Sequence, residues 1–298
     1  MTREQRAAGF IVLAACGYGS LSVGTALADR WGVSLTALMA WRYTLAAPVL
    51  VLAAGGFSRL RVAPGRALAL LLLGGGGQTL ITWLSLSSLA WLSAASLGFL
   101  LYTYPAWVAV FAALAGTDRL TPMRIGALVL ALAGITLMVG SPWSTAMPWP
   151  GVVRALGSAV IYALYIPLIH RLRGPLGASV ASTYVVVGAG VVFLGLAAAD
   201  GTLTANMTVG PIVLAAVLAV LGTAVAFITF LRGLEVLGPV RTAILSTVEP
   251  FWTALLAAAV LGQAVGPGVL IGGVAIVIAI LLLQRSGSPA IPAVPPPD

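Results

Sequence analysis

One carboxyl group lies deep inside an apolar stretch. Glu249 stands about nine residues into a run read as a span at 240–262, or ~14 Å along a helix rising ~1.5 Å per residue. A charge at the middle of a bilayer is costly unless it is paired, hydrated or neutralised. Such a group can hold the cationic part of a ligand or carry a proton. Pro250 follows it, and a proline removes a backbone donor and bends a helix. The bland alternative is a protonated Glu249 bonded to the backbone that Pro250 opens, with a structural role only; both readings stay open here. Arg42, about nine residues into a run at 34–55, keeps its proton. Trp41 and Tyr43 flank it and offer cation–π contact, so a structural anchor is favoured over a ligand contact.

A second set of residues is aromatic and hydroxylic. Tyr102, Thr103 and Tyr104 precede Pro105, and Tyr162 and Tyr165 precede Pro167. Tyr18, Ser22 and Thr25 share one face of a helix, as do Gln78, Thr82 and Ser85. Thr223, Phe227 and Phe230 form a further group, and Ser246 lies beside Glu249. Taken singly, a serine or threonine in an apolar helix serves more often to join helices. Taken together, polar stripes on six apolar segments should face protein or water rather than lipid. The expected site is a shared cavity lined by Tyr18, Ser22, Gln78, Thr82, Tyr102, Tyr104, Tyr162, Tyr165, Phe227, Ser246 and Glu249. Pro105, Pro167 and Pro250 are its expected hinges. On those six segments no Arg or Lys falls at mid-depth, which disfavours a phosphorylated ligand. A zwitterionic amino acid with an apolar or aromatic side chain fits better, and an amphipathic cation with Glu249 as counter-ion is the alternative.

The segments that must position these groups are read from composition. Of 298 residues, 60% are hydrophobic and only 7% charged, where a soluble domain is about 25% charged. The surplus apolar surface must face lipid. Ten spans are predicted, at 7–28, 34–55, 67–88, 93–115, 124–140, 151–170, 178–199, 209–231, 240–262 and 267–284. Short turns separate them, among them Pro64-Gly65, Thr121-Pro122, Gly174-Pro175, Gly238-Pro239 and Gly266-Pro267. All 15 basic residues are Arg. Twelve of them (3, 6, 59, 61, 66, 119, 124, 171, 173, 232, 241 and 285) fall on the side of the N-terminus, against Arg30 and Arg154 on the other. That asymmetry predicts cytoplasmic termini. Trp31, Trp91, Trp143 and Trp149 fall at the expected outer interface.

Other classes are disfavoured. The net charge of +8 is spread over short loops, so nucleic acid is not an expected partner. One Cys and one His cannot build a zinc site; Cys16 reads as a small buried residue and His170 as interfacial. The four glycines Gly74–Gly77 lack a following Lys, so they read as close helix packing rather than a phosphate cradle. No nucleophile–base pair is evident. The expectation is therefore no enzyme activity, no cofactor, no metal and no obligatory protein partner. The proline-rich end, 287–298, is expected to be disordered.

The chain also repeats itself. Pro105, Trp107, Ala109, Ala112 and Ala113 match Pro250, Trp252, Ala254, Ala257 and Ala258 at a separation of 145 residues, as do Gly77 and Gly222, and Pro122 and Pro267. Five spans per repeat is an odd number, so the second half enters the membrane inverted, an arrangement common in secondary transporters. The expected units are 1–145, 146–286 and the tail. With Trp41-Arg42-Tyr43 and the proline-bearing fourth and ninth spans, the chain resembles the EamA family of the drug/metabolite transporter (DMT) superfamily. Within it, the likeness is greatest to the YddG-type aromatic amino-acid exporters. The resemblance implies an all-α polytopic fold of ten helices as two inverted five-helix repeats. It implies a central cavity among spans 1, 3, 4, 6, 8 and 9, and an exporter of the bacterial inner membrane working by alternating access. The family's Leu-Gly-Glu after spans 4 and 9 is absent; Gly116-Thr117-Asp118 and Leu261-Gly262-Gln263 stand there, so those loops carry no expected chemistry.

Overall fold

The computed structural model describes residues 2–92, 94–116, 121–139 and 148–285. Asp118, Arg119, Trp143, the junction expected at 145 and the proline-rich tail lie outside the described residues. So does the side chain of Arg285.

Every described element is helical. In chain order they are α1 (Arg3–Arg30), α2 (Leu35–Ala53), α3 (Pro64–Leu72), α4 (Thr79–Ser87), α5 (Ala94–Leu101), α6 (Tyr104–Leu114) and α7 (Pro122–Val139). Then follow α8 (Trp149–Arg173), α9 (Ala178–Ala199), α10 (Val209–Ala219), α11 (Ala226–Leu245), α12 (Glu249–Leu261) and α13 (Pro267–Arg285). Eight helices or continuous helical runs are long and apolar enough to cross a membrane, and two shorter apolar ones, Val248–Leu261 and Pro267–Leu282, follow them. α1 starts with a capping box, Thr2 accepting from the Gln5 backbone while Gln5 reaches back to the Thr2 backbone.

Several segments expected to be plain helices are interrupted. Wide π turns at Leu73–Gln78 and Val220–Val225 join α3 to α4 and α10 to α11. The run expected to end at 231 continues to Leu237. Gly238 then leaves the helical region at φ 72°, a conformation that costs glycine least, and the following turns pass Pro239. Prolines 105 and 250 were expected to bend continuous helices. Instead each sits in the first turn of a new helix, where its missing N–H costs nothing. Pro167 lies inside α8, which runs through it without a break.

Helices meet backbone to backbone. α2 packs on α9, α7 on α13, and α1 on α11 and α12. A Cβ on Gly188 of α9 would stand 2.1 Å from the Leu71 carbonyl oxygen, and one on Gly74 would stand 2.0 Å from that of Val185. Only glycine admits such an approach, and in lipid the gain comes from van der Waals contact rather than water exclusion. Two buried arginines tie helix ends together. Arg173 donates to Glu235 at 2.5 Å, to the Leu231 carbonyl at 2.7 Å and to the Leu176 carbonyl at 3.0 Å. Arg241 pairs with Glu4 at 3.3 Å. At the other end Trp41 donates to the Leu203 carbonyl at 2.8 Å, and Asn206 to that of Gly32 at 2.8 Å.

Candidate functional site

Glu249 is the first residue of α12, and Tyr104 holds the matching place in α6. Both follow an interruption: residues 102–103 before α6, and the 3₁₀ turn Ser246–Val248 before α12. The broken backbone therefore presents a side chain at the start of each half-helix. Glu249 is half-buried, with the Tyr102 hydroxyl set against its carboxyl group. α1 closes tightly over this turn. The Thr253 hydroxyl lies 2.9 Å from the Glu249 carbonyl oxygen and 3.2 Å from that of Gly19, and the Trp252 indole donates to the Ser20 hydroxyl at 3.1 Å. A Cβ on Gly19 would stand 2.6 Å from the Thr253 hydroxyl, so glycine there is what lets α1 approach.

Tyrosine rings surround the carboxyl group. Tyr104 and Tyr162 have ring centroids 4.6 Å apart, Tyr162 and Tyr165 6.3 Å, and Tyr102 and Tyr104 6.4 Å. Tyr18 meets Phe227 edge-on at 5.7 Å and Phe230 at 6.0 Å. Tyr18 is within electrostatic reach of both Tyr165 and Glu249, which joins the α1 side to the α6–α8 side. Ring edges and faces at these separations favour aromatic or flat apolar partners. The hydroxyls of Tyr104 and Tyr165 are buried without a hydrogen-bond partner, although Ser246 stands near Tyr104. Buried polar atoms are satisfied in the great majority of cases; among the described residues Ser182 and Thr242 also carry one without a hydrogen-bond partner, as does Nε of Arg241, which is otherwise paired with Glu4.

The expected residues divide accordingly. Tyr18, Tyr102, Tyr104, Tyr162, Tyr165, Phe227 and Glu249 come together. Ser246 is beside them but donates to the Thr242 carbonyl of its own chain at 2.9 Å. Thr82 likewise donates to the Gln78 carbonyl at 2.9 Å, one turn back. The π turn that carries Gln78 reaches the cluster through Gly77, where a Cβ would stand 3.0 Å from the Tyr165 ring. Ser22 is exposed, on the same face of α1 as Tyr18. The half-buried Cys16 lies within electrostatic reach of Glu249. Among the described residues no three His, Cys, Asp or Glu side chains are placed to hold a metal.

Two residues outside the expected lining belong beside it. Arg42 and Tyr43 are buried at 4% and 1% exposure, and the Arg42 guanidinium lies 4.2 Å over the Tyr43 ring. Tyr43 stacks on Phe193 at 5.7 Å, and its hydroxyl is unpartnered. Tyr18 lies within electrostatic reach of Arg42, so this arginine is near the cluster. An ionised residue in mid-span was the available signal.

Broken helices, an ionisable residue at one break and aromatic walls agree with what the chain resembles. The model of the EamA-like transporter family matches residues 5–140 and again 149–285. The chain belongs to the EamA-like transporter family. This EamA-family protein is 29% identical over 173 residues to a protein of Salmonella typhimurium (strain LT2) described as "Uncharacterized inner membrane transporter YicL". The match covers 57% of each of the two chains. A solved crystal structure shares the fold with a TM-score of 0.76 at 22% identity, covering 95% of this chain and 99% of the other. The match to the Salmonella protein thus spans little more than half the length of that relative, and the fold is the all-helical one shared with the solved structure.

Proposed function

We propose that this protein is a secondary transporter that exports aromatic and hydrophobic amino acids, with methionine, threonine and related small metabolites as further substrates. The carrying observation is the tyrosine cluster around Glu249, at the starts of two half-helices. Aromatic rings suit an apolar side chain, and a carboxyl group at the break suits an ammonium. Spans 209–237 and 240–261, read as separate crossings on either side of Gly238, would bring the number to ten, and the arginine asymmetry favours cytoplasmic termini. Units 1–145 and 146–286 are then inverted five-helix repeats. The paired π turns at Leu73–Gln78 and Val220–Val225, and the paired breaks before α6 and α12, support that symmetry. The two units rock about the breaks at Pro105 and Pro250, with Pro167 as a third flexible point, to expose the cavity to each side in turn. The bacterial inner membrane is the proposed location, as the description of the Salmonella relative suggests.

The rival reading is an exporter of amphipathic cations, which the pairing of Glu249 with aromatic walls also favours. Reconstitution into proteoliposomes with radiolabelled amino acids and, separately, cationic dyes tests the two. Uptake of phenylalanine or methionine with no dye movement is expected. Dye movement without amino-acid transport would overturn the proposal, and transport of neither would leave a scaffold role standing.

A further inference from the structure

Arg42 is the charged side chain of this cluster that the amino-acid reading has not used. The exposed positions Thr44, Pro48 and Leu52 recur one turn apart along one face of α2. At 3.6 residues per turn, Arg42 lies about 120° round the helix from the middle of that face, on a side that is buried in the protein. It is 4% exposed, and its Nε is buried with no partner. Among the described residues it has no carboxylate partner and no hydrogen bond, and its guanidinium lies over the Tyr43 ring. Arg173 and Arg241, equally buried, are each paired with a glutamate. This chain therefore does supply partners to arginines that serve as ties between helices. The Tyr43 and Tyr165 hydroxyls add further unpartnered buried oxygens. Tyr18 lies within electrostatic reach of Arg42 on one hand and of Glu249 on the other.

A guanidinium stacked on a ring still has its in-plane N–H groups free, and that fork matches a carboxylate in a bidentate way. An unpaired cation in a low-dielectric interior is unfavourable, and an arriving anion relieves it. We propose that Arg42 binds the carboxylate of the substrate while Glu249 faces its ammonium group, so that the cavity is bipolar and selects zwitterions. This assignment rests on the amino-acid reading above and adds the group that reads the acid end. It also argues against simple organic cations, which Arg42 would repel.

The test uses the purified full chain in detergent and three probes: L-phenylalanine, L-phenylalaninamide, which lacks the carboxylate, and 3-phenylpropionate, which lacks the ammonium. Binding is measured by calorimetry. The wild-type protein should prefer phenylalanine to the amide by about 10-fold or more, the range of a charge-assisted pair. In Arg42→Gln that preference should shrink to about twofold, while the preference for phenylalanine over 3-phenylpropionate remains. Arg42→Lys should restore part of it. Equal binding of phenylalanine and its amide by the wild-type protein, which needs no variant to fold, would overturn the Arg42 assignment alone. So would a monodisperse Arg42→Gln protein that keeps the full preference. Binding of none of the three probes would overturn both this assignment and the amino-acid reading.

Discussion

At the scale of the residue, the site is defined by groups that the fold leaves unsatisfied. Tyr104 and Tyr165 bury hydroxyls without partners, and a buried unpaired hydroxyl gives the folded state no hydrogen bond in return for its lost hydration. Tyr104→Phe and Tyr165→Phe keep the ring contacts and remove only that oxygen. Their thermal midpoints should match or exceed that of the wild-type protein, while phenylalanine uptake falls several-fold; a fall in both would mark the hydroxyls as structural. Glu249 should behave differently. Replacing it by Gln keeps the shape but removes the charge facing the ammonium, a loss of about 1.5–3 kcal/mol, or roughly 10–100-fold. The KM for amino-acid uptake should rise by that factor, and an unchanged KM would return Glu249 to a purely structural role.

Elements bring these residues together through interruptions rather than through regular helix. A continuous α-helix satisfies its own backbone, and polar groups inside a membrane need that satisfaction. Breaks before α6 and α12 are tolerated because they are packed against protein: α1 closes over the second through Gly19, Thr253 and Trp252. The π turn at Leu73–Gln78 is held the same way. Gly74 and Gly188 allow α9 to touch its backbone, whereas nothing lies within 4 Å of a Cβ placed on Gly76. Gly188→Val should therefore lower the thermal midpoint sharply, overpacking of this kind costing ~1–3 kcal/mol or more. Gly76→Ala should be neutral or stabilising by up to ~1 kcal/mol, since alanine is the better helix former. Melting curves of the two purified variants check the contrast, and equal effects would show that the close approach between α9 and the π turn does not control stability.

At the scale of the whole molecule, charge decides which ends of the helices face which compartment. The arginine asymmetry predicts that the 3₁₀ turn Phe57–Leu60 is cytoplasmic and the loop around Thr204 is outside. Cys16 is the one cysteine of the chain, so a Cys16→Ser background is free of thiols. In intact cells a membrane-impermeant maleimide should label Thr204→Cys and leave Ser58→Cys unlabelled until the membrane is permeabilised. The reverse pattern would invert the topology. With the N-terminus inside, the ion pairs Arg173–Glu235 and Glu4–Arg241 would lie at the cytoplasmic ends of α1, α8 and α11; in the inverted topology they would lie outside.

Sequence alone determined the class of protein: too few charges to cover a water-facing surface, apolar runs of membrane length, turn residues between them and a carboxyl in mid-span at Glu249. It also brought out Tyr18, Tyr102, Tyr104, Tyr162, Tyr165 and Phe227 as candidates, because aromatic hydroxyls are conspicuous on apolar helices. Tertiary structure decided which faces turn inward. In a soluble protein the hydrophobic side of a helix marks its interior, but here lipid and protein interior are both apolar, and periodicity says little about rotation about the axis. That is why the burial of Arg42, within electrostatic reach of Tyr18, was not legible in the sequence. Nor did the sequence show that the Thr82 and Ser246 hydroxyls donate to their own backbone, which leaves their oxygens as acceptors. The breaks at 102–103 and 246–248 depended on tertiary packing too, because a proline permits a first helical turn as readily as a bend, and only the neighbouring helices select between them.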